Sequence, residues 1–280
     1  KLTLNKWIAG ALTQAALRAT EALEAFEFNA AADTLYHFTW GTYCDWYVEF
    51  SKPLLTGTDV AAKAETRAMT AWVLSRLVHL LHPIMPFVTE ELWKHLADGK
   101  GGLLIQSQWP ALDAELVDHD AAAEMDWVVA LIAQIRTARA EMNVPPAQEI
   151  AAYVTEAGGD EKDWLARHDA LIRRLARLKR IHPVDATAPA KQNTIQVVVE
   201  GASLLLDFAG AIDVGKERAR LQKEAQSIRI ELDKIAAKLG NEQFLSKAKT
   251  EAIDEQRERQ AEARAALTRL DAALARIGGA

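Results

Sequence analysis

Apolar residues recur at helical spacing through the first part of the chain. LNKWIAGALTQAALRATEALEAF places Trp7, Ile8, Leu12, Ala16, Ala19 and Leu23 close to a 3.6-residue period, which predicts an amphipathic helix. The aromatic-rich run FNAAADTLYHFTWGTYCDWYVEFSKPLL predicts a second helix that stops near Pro53, because proline lacks the donor that continues the ladder. TGTD at 56–59 reads as a loop. ETRAMTAWVLSRLVHLLHPIMPF predicts a third helix, apolar at Met69, Val73, Leu74, Leu77, Leu80 and Leu81, and interrupted by Pro83 and Pro86. Thr89 before Glu90 and Glu91 has the look of an N-cap with an acidic first turn, opening the helix TEELWKHLA, which GKGG at 99–102 ends.

Beyond that bundle the period changes. LLIQSQWP at 103–110 reads as an extended tail, and the acidic stretch Asp113, Glu115, Asp118, Asp120, Glu124 and Asp126 as a solvated linker and helix start. A helix from 121 to about Met142 is stopped by Pro145 and Pro146. EIAAYVTE is strand-like, DWLARHDALIRRLARLKR is helical, and NTIQVVVE and SLLLDFAG are two strands joined at Gly201. The last segment carries two apolar series in steps of three and four. The first is Leu221, Ala225, Ile228, Leu232, Ile235 and Leu239; the second is Ile253, Gln256, Gln260, Ala263, Leu267, Leu270, Leu274 and Ile277. They predict an antiparallel two-helix coiled coil whose seam the two glutamines thin. The expected fold is therefore mainly α: a helical bundle over 1–120, a small α/β unit over 121–212 and a projecting coiled-coil arm over 213–280.

Composition narrows the class. Half of the 280 residues are hydrophobic and 26% are charged, with net charge −6, which excludes a disordered chain. One cysteine, Cys44, excludes an intrachain disulfide and a zinc site built on several thiolates. The longest apolar runs, such as 204–212, are too short to span a bilayer, and KLTLNKWIAG is not a signal peptide, so a cytoplasmic location away from membranes is expected. The start on Lys1 suggests a piece of something larger. Charge is uneven: 9 Lys/Arg face 15 Asp/Glu in 1–120, 10 face 12 in 121–212, and 14 face 12 in 213–280.

No catalytic centre emerges. Neither GxxxxGK[ST] nor GxGxxG occurs, His79 and His82 lack the carboxylates that would complete a metal site, and Cys44 sits among Tyr43, Asp45, Trp46 and Tyr47 on an apolar helix. LSKAK at 245–249 falls at the tip of the expected hairpin, away from any phosphate loop. Binding signals are stronger. Arg173, Arg177 and Arg180 are spaced to share one face of a continued helix, and Arg218, Arg220, Lys223, Arg229, Lys234, Lys238, Lys247 and Lys249 give the arm a basic bias. Phosphate binding competes here with ordinary salt-bridging and solvation.

Several runs together resemble a known family. FNAAADTLYHFTWGTYCDWYVEFSKP followed by HLLHPIMPFVTEELWKHL resembles the helical anticodon-binding domain of class I aminoacyl-tRNA synthetases of the valine/isoleucine/leucine group. IRTARAEMNVPP at 135–146, then IDVGKERARLQKE and KLGNEQFLSKAK, are similar to the C-terminal region of bacterial-type valyl-tRNA synthetases with its coiled-coil arm. The resemblance implies a valine-specific tRNA as partner, the bundle at the anticodon stem-loop and the arm at the outer corner of the tRNA. It further implies a segment inactive alone and monomeric, holding no cofactor of its own. An N-terminal catalytic domain elsewhere in the full-length enzyme would use ATP and magnesium. On the bundle, Lys6, Trp7, Arg67 and Arg76 become candidate RNA contacts. Two alternatives stand beside this: a coiled-coil scaffold for a protein partner, and the equivalent segment of another class I synthetase such as the isoleucyl enzyme.

Overall fold

The computed structural model describes residues 2–96, 102–184, 194–241 and 250–278. The chain divides into two compact units, 1–129 and 130–280, with the boundary inside one long helix. The architecture is mainly α with one small sheet.

In the first unit α1 (Thr3–Glu24) packs on α2 (Phe28–His37). Helix α2 runs directly into a π-helical stretch (Phe38–Tyr47) and then α3 (Val48–Thr56). The buried side chains of the π stretch, Phe38, Tyr43 and Tyr47, are five and four residues apart, a spacing that suits i→i+5 bonding better than a 3.6 period. Pro53 does not end the rod: α3 carries it internally and continues to Thr56, because one absent donor is tolerated beside the buried anchors Phe50 and Ser51. Asp59 accepts from the Ala61 and Ala62 amides at 2.9 and 3.0 Å and caps α4 (Val60–Leu81). Helix α5 (Pro86–Leu96) starts three residues before the expected cap. Proline opens it, as the first helical position permits, and Thr89 is an interior residue whose hydroxyl donates to the Met85 carbonyl at 2.7 Å. Ile8, Leu12, Leu35, Tyr47 and Leu80 are fully buried and centre this core.

The 103–118 segment contains short 3-10 turns at Leu104–Gln106 and Ala114–Leu116. Glu90 holds its start by accepting from the Leu104 and Ile105 amides. Gly10 lets its far end approach α1: a Cβ there would stand 3.3 Å from the Leu116 carbonyl oxygen and the Val117 Cα. The acidic run is correspondingly structural. Asp118 accepts from the Ala121 amide as α6 (His119–Glu141) begins, Asp126 accepts from the Trp7 indole, and Glu124 is buried.

The second unit holds β1 (Ile150–Ala157), α7 (Gly159–Ala176), β2 (Leu178–His182), β3 (Thr194–Val199) and β4 (Ala202–Asp207). The sheet order is β2-β1-β4-β3, with β1 parallel to β2 and the other pairs antiparallel. Glu200–Gly201 makes a two-residue hairpin loop, for which Gly201 supplies φ +74°. The helix expected through Arg180 stops four residues earlier. Arg177 adopts a left-handed conformation (φ 54°, ψ 53°), and the next five residues form β2, which pairs with β1 through Leu178, Arg180, Ile181 and His182.

Helices α8 (Val214–Leu239) and α9 (Thr250–Gly278) pack along the expected seam. Leu221, Ala225, Ile235 and Gln256 are buried in it, as is Ala273. Asp213 caps α8 by accepting from the Lys216 amide. Arg229 pairs with Asp271 and Glu231 with Arg259, so partner numbers fall as α8 numbers rise, the signature of antiparallel packing. No described helix is long and apolar enough to cross a membrane.

Candidate nucleic-acid interface

Four candidates lie on the bundle. Trp7 is 5% exposed and its indole N–H donates to Asp126 at 2.8 Å, so it is a core side chain. Lys6 is exposed but held by Asp118 at 2.8 Å. That contact raises the lysine above its ordinary value and lowers the carboxylate below its own, each chiefly through the hydrogen bond between them. Arg67 is exposed and Arg76 half-buried on α4. Nine residues apart, they point to opposite sides of that helix and do not form one patch.

The α7 candidates are rearranged. Arg173 remains on the helix, where Asp169 binds it at 2.8 Å. Arg177 is the left-handed residue ending α7, and Arg180 is on β2, so the single helical face inferred for the three does not exist. The cause lies in α6. Arg136 donates to the Leu175 carbonyl at 3.0 Å, and Arg139 donates to the carbonyls of Arg177, Pro145 and Gln148 at 3.2, 3.4 and 2.7 Å. Two guanidinium groups thus cap the end of α7 and turn the chain into the sheet. Arg139 is 6% exposed; burial, then repulsion from Arg177, pulls it below its ordinary value. These arginines belong to the IRTARAEMNVPP run, and their capping role was invisible in spacing.

On the arm, the candidates separate into two kinds. Arg220 is neutralised by Glu217 and Glu224 within α8, and Arg229 by Asp271 across the seam. Arg218, Lys223 and Lys234 are exposed and make no ion pair among the described residues; Lys238 is exposed as well. At about 100° per residue, Lys223, Lys234 and Lys238 cluster within roughly 60° on the side of α8 turned away from the seam. Ser227 and the 46%-exposed Ile230 lie between them. Lys247 and Lys249 lie outside the described residues. Among those described, no group of three or more His, Cys, Asp or Glu could hold a metal ion.

The lysines on the outer side of α8 present positive charge of the kind that contacts a phosphate backbone. The family model described as the anticodon-binding domain of tRNA ligase matches residues 5–154. The chain belongs to that family. A second model, the valyl tRNA synthetase tRNA binding arm, matches residues 213–278. The two together give this chain an anticodon-binding domain and a valyl-type tRNA-binding arm. Curated relatives agree. The valine–tRNA ligase of Caulobacter vibrioides is 46% identical over 98% of this chain and 30% of its own length. Those of Mesorhizobium japonicum and Brucella suis are 43% identical over 99% of this chain and 30% of theirs. The chain therefore spans about 30% of the length of these relatives.

Proposed function

We propose that this chain is the tRNA-gripping part of a cytoplasmic valine–tRNA ligase, with the bundle at the anticodon stem-loop and the α8–α9 hairpin at the outer corner of the folded tRNA. The observation that carries this reading is the outer face of α8, where Lys223 and Lys234 stand exposed, with no ion pair among the described residues, within the segment matched as a tRNA-binding arm. Both are free to replace counterions on a phosphate backbone. Arg220 and Arg229 are spent on salt bridges and act through the hairpin's geometry. On this reading the whole ligase joins valine to its tRNA using ATP and magnesium, and this chain alone is a catalytically silent monomer.

A valine-tRNA transcript titrated into the chain at several salt concentrations tests the proposal. Log K is expected to fall linearly with log salt, and Lys223→Gln with Lys234→Gln to reduce that slope by about one for each phosphate no longer neutralised. An unchanged slope in the double variant removes the lysine face from the interface. Absence of binding at low salt by the folded chain overturns the whole reading.

A further inference from the structure

A cavity of about 490 Å³ opens in the first unit between α1, the α2–π rod and the start of α6. Its size falls in the range of ligand sites and exceeds what a nucleobase needs. Two helical rows make its walls. Gln14 and Arg18 stand four apart on α1; Asp33, His37 and Gly41 stand four apart along the rod. The third place in the second row is empty by composition: a Cβ built on Gly41 meets no atom within 4 Å. The π stretch then carries Trp46 to the lining, beside Phe50 at a ring distance of 5.5 Å, with Trp7 on the other side of Phe50 at 6.2 Å.

The polar groups have capacity left. Gln14 and Arg18 make no hydrogen bond or ion pair among the described residues. Asp33 faces His37 at 3.3 Å, both side chains more than 70% exposed. Asp126 accepts from Trp7 through one oxygen, which leaves acceptor sites on its carboxylate. Three carboxylates, Asp33, Asp118 and Asp126, against one arginine disfavour a buried phosphate and favour a planar ligand whose edge donates N–H groups; Asp118 is already held by Lys6 at 2.8 Å. Arg18, with its exposed guanidinium, suits the backbone that such a ligand would trail.

We propose that this cavity receives one unpaired nucleobase of the bound RNA, laid against the Trp46 wall with its amino edge toward Asp33 or Asp126. The proposal rests on the RNA-binding reading above and specifies where in the bundle a base is held. Of the four bundle candidates, Trp7 lines this cavity, and Lys6, Arg67 and Arg76 do not.

Anisotropy titration of a fluorescein-labelled valine-tRNA transcript with the full chain tests it. Gly41→Leu, which fills the cavity, is expected to weaken binding about ten-fold, the loss of one stacked base. The dependence of log K on log salt stays unchanged, because a base contact releases no counterions. Gln14→Leu changes an exposed helix position and removes a hydrogen-bonding wall group, so it weakens binding several-fold and decides the question if Gly41→Leu fails to fold. Parent-like affinity in Gln14→Leu and in a folded Gly41→Leu overturns the proposal while leaving RNA binding intact. Failure of the parent chain to bind overturns both.

Discussion

Arg139 is a buried cation satisfied by three backbone carbonyls. Its replacement by methionine strands those acceptors at the junction of α6, α7 and β1, and should cost about 2–4 kcal/mol by urea denaturation. Arg139→Lys should recover little of it, since an ammonium cannot span the fork that reaches three oxygens. Arg177 poses the opposite case, because its left-handed φ of 54° favours glycine. Arg177→Gly should raise stability by about 0.5–1 kcal/mol in the same assay. Asp118 makes the acid side of stability testable. Its folded carboxyl lies below the ordinary value, first through Lys6 and then through the Ala121 amide. The stability it contributes is therefore complete above the ordinary carboxylate range and is lost as pH falls through that range and below. Lys6→Met removes the largest cause, so the drop in urea midpoint between about pH 7 and about pH 3 should be smaller than in the parent.

At the level of elements, the hairpin's stability sits in its seam and much less in its cross-helix ion pairs. Arg229–Asp271 and Arg259–Glu231 join half-exposed side chains, and breaking either should cost under about 1 kcal/mol. Gln256, 8% exposed, occupies a seam position where leucine would bury more apolar surface. Gln256→Leu should stabilise the hairpin by about 1 kcal/mol, read as a rise in its thermal midpoint by circular dichroism. The hairpin and the β3–β4 pair were legible because their periods are uninterrupted. The π stretch and β2 were not. LARLKR has the propensity and charge pattern of a helix; the Arg136 and Arg139 contacts that end α7, together with the edge that β1 offers, make Leu178–His182 a strand.

For the molecule as a whole, charge divides labour in a way the net −6 conceals. The bundle's acidic excess leaves its remaining cations dispersed, whereas α8 concentrates lysines on one outer face. Removing 213–280 should therefore reduce the salt slope of tRNA binding more than any single bundle substitution, with the remaining bundle checked for its helical signal. A slope unchanged by that truncation would return the lysine face to simple solvation. The candidate RNA contacts were legible as residue types but poorly as positions. Trp7 and Lys6 have unremarkable neighbours along the chain, and their partners Asp126 and Asp118 are more than a hundred residues away.

Sequence alone determined the features that repeat locally: a mainly helical chain, the heptad seam of α8 and α9, the Gly201 hairpin, and the runs that mark a tRNA-ligase domain. Each is encoded within a few residues, where periodicity and backbone preference act directly. Tertiary structure decided which cations stay free, where α7 ends, and that Gly41 leaves a cavity open between two helices. Those outcomes depend on partners distant in the chain, such as Asp126 for Trp7 and Arg139 for the carbonyl of Arg177. A buried polar group takes its partner by proximity in the folded state, and proximity of that kind leaves no periodic trace.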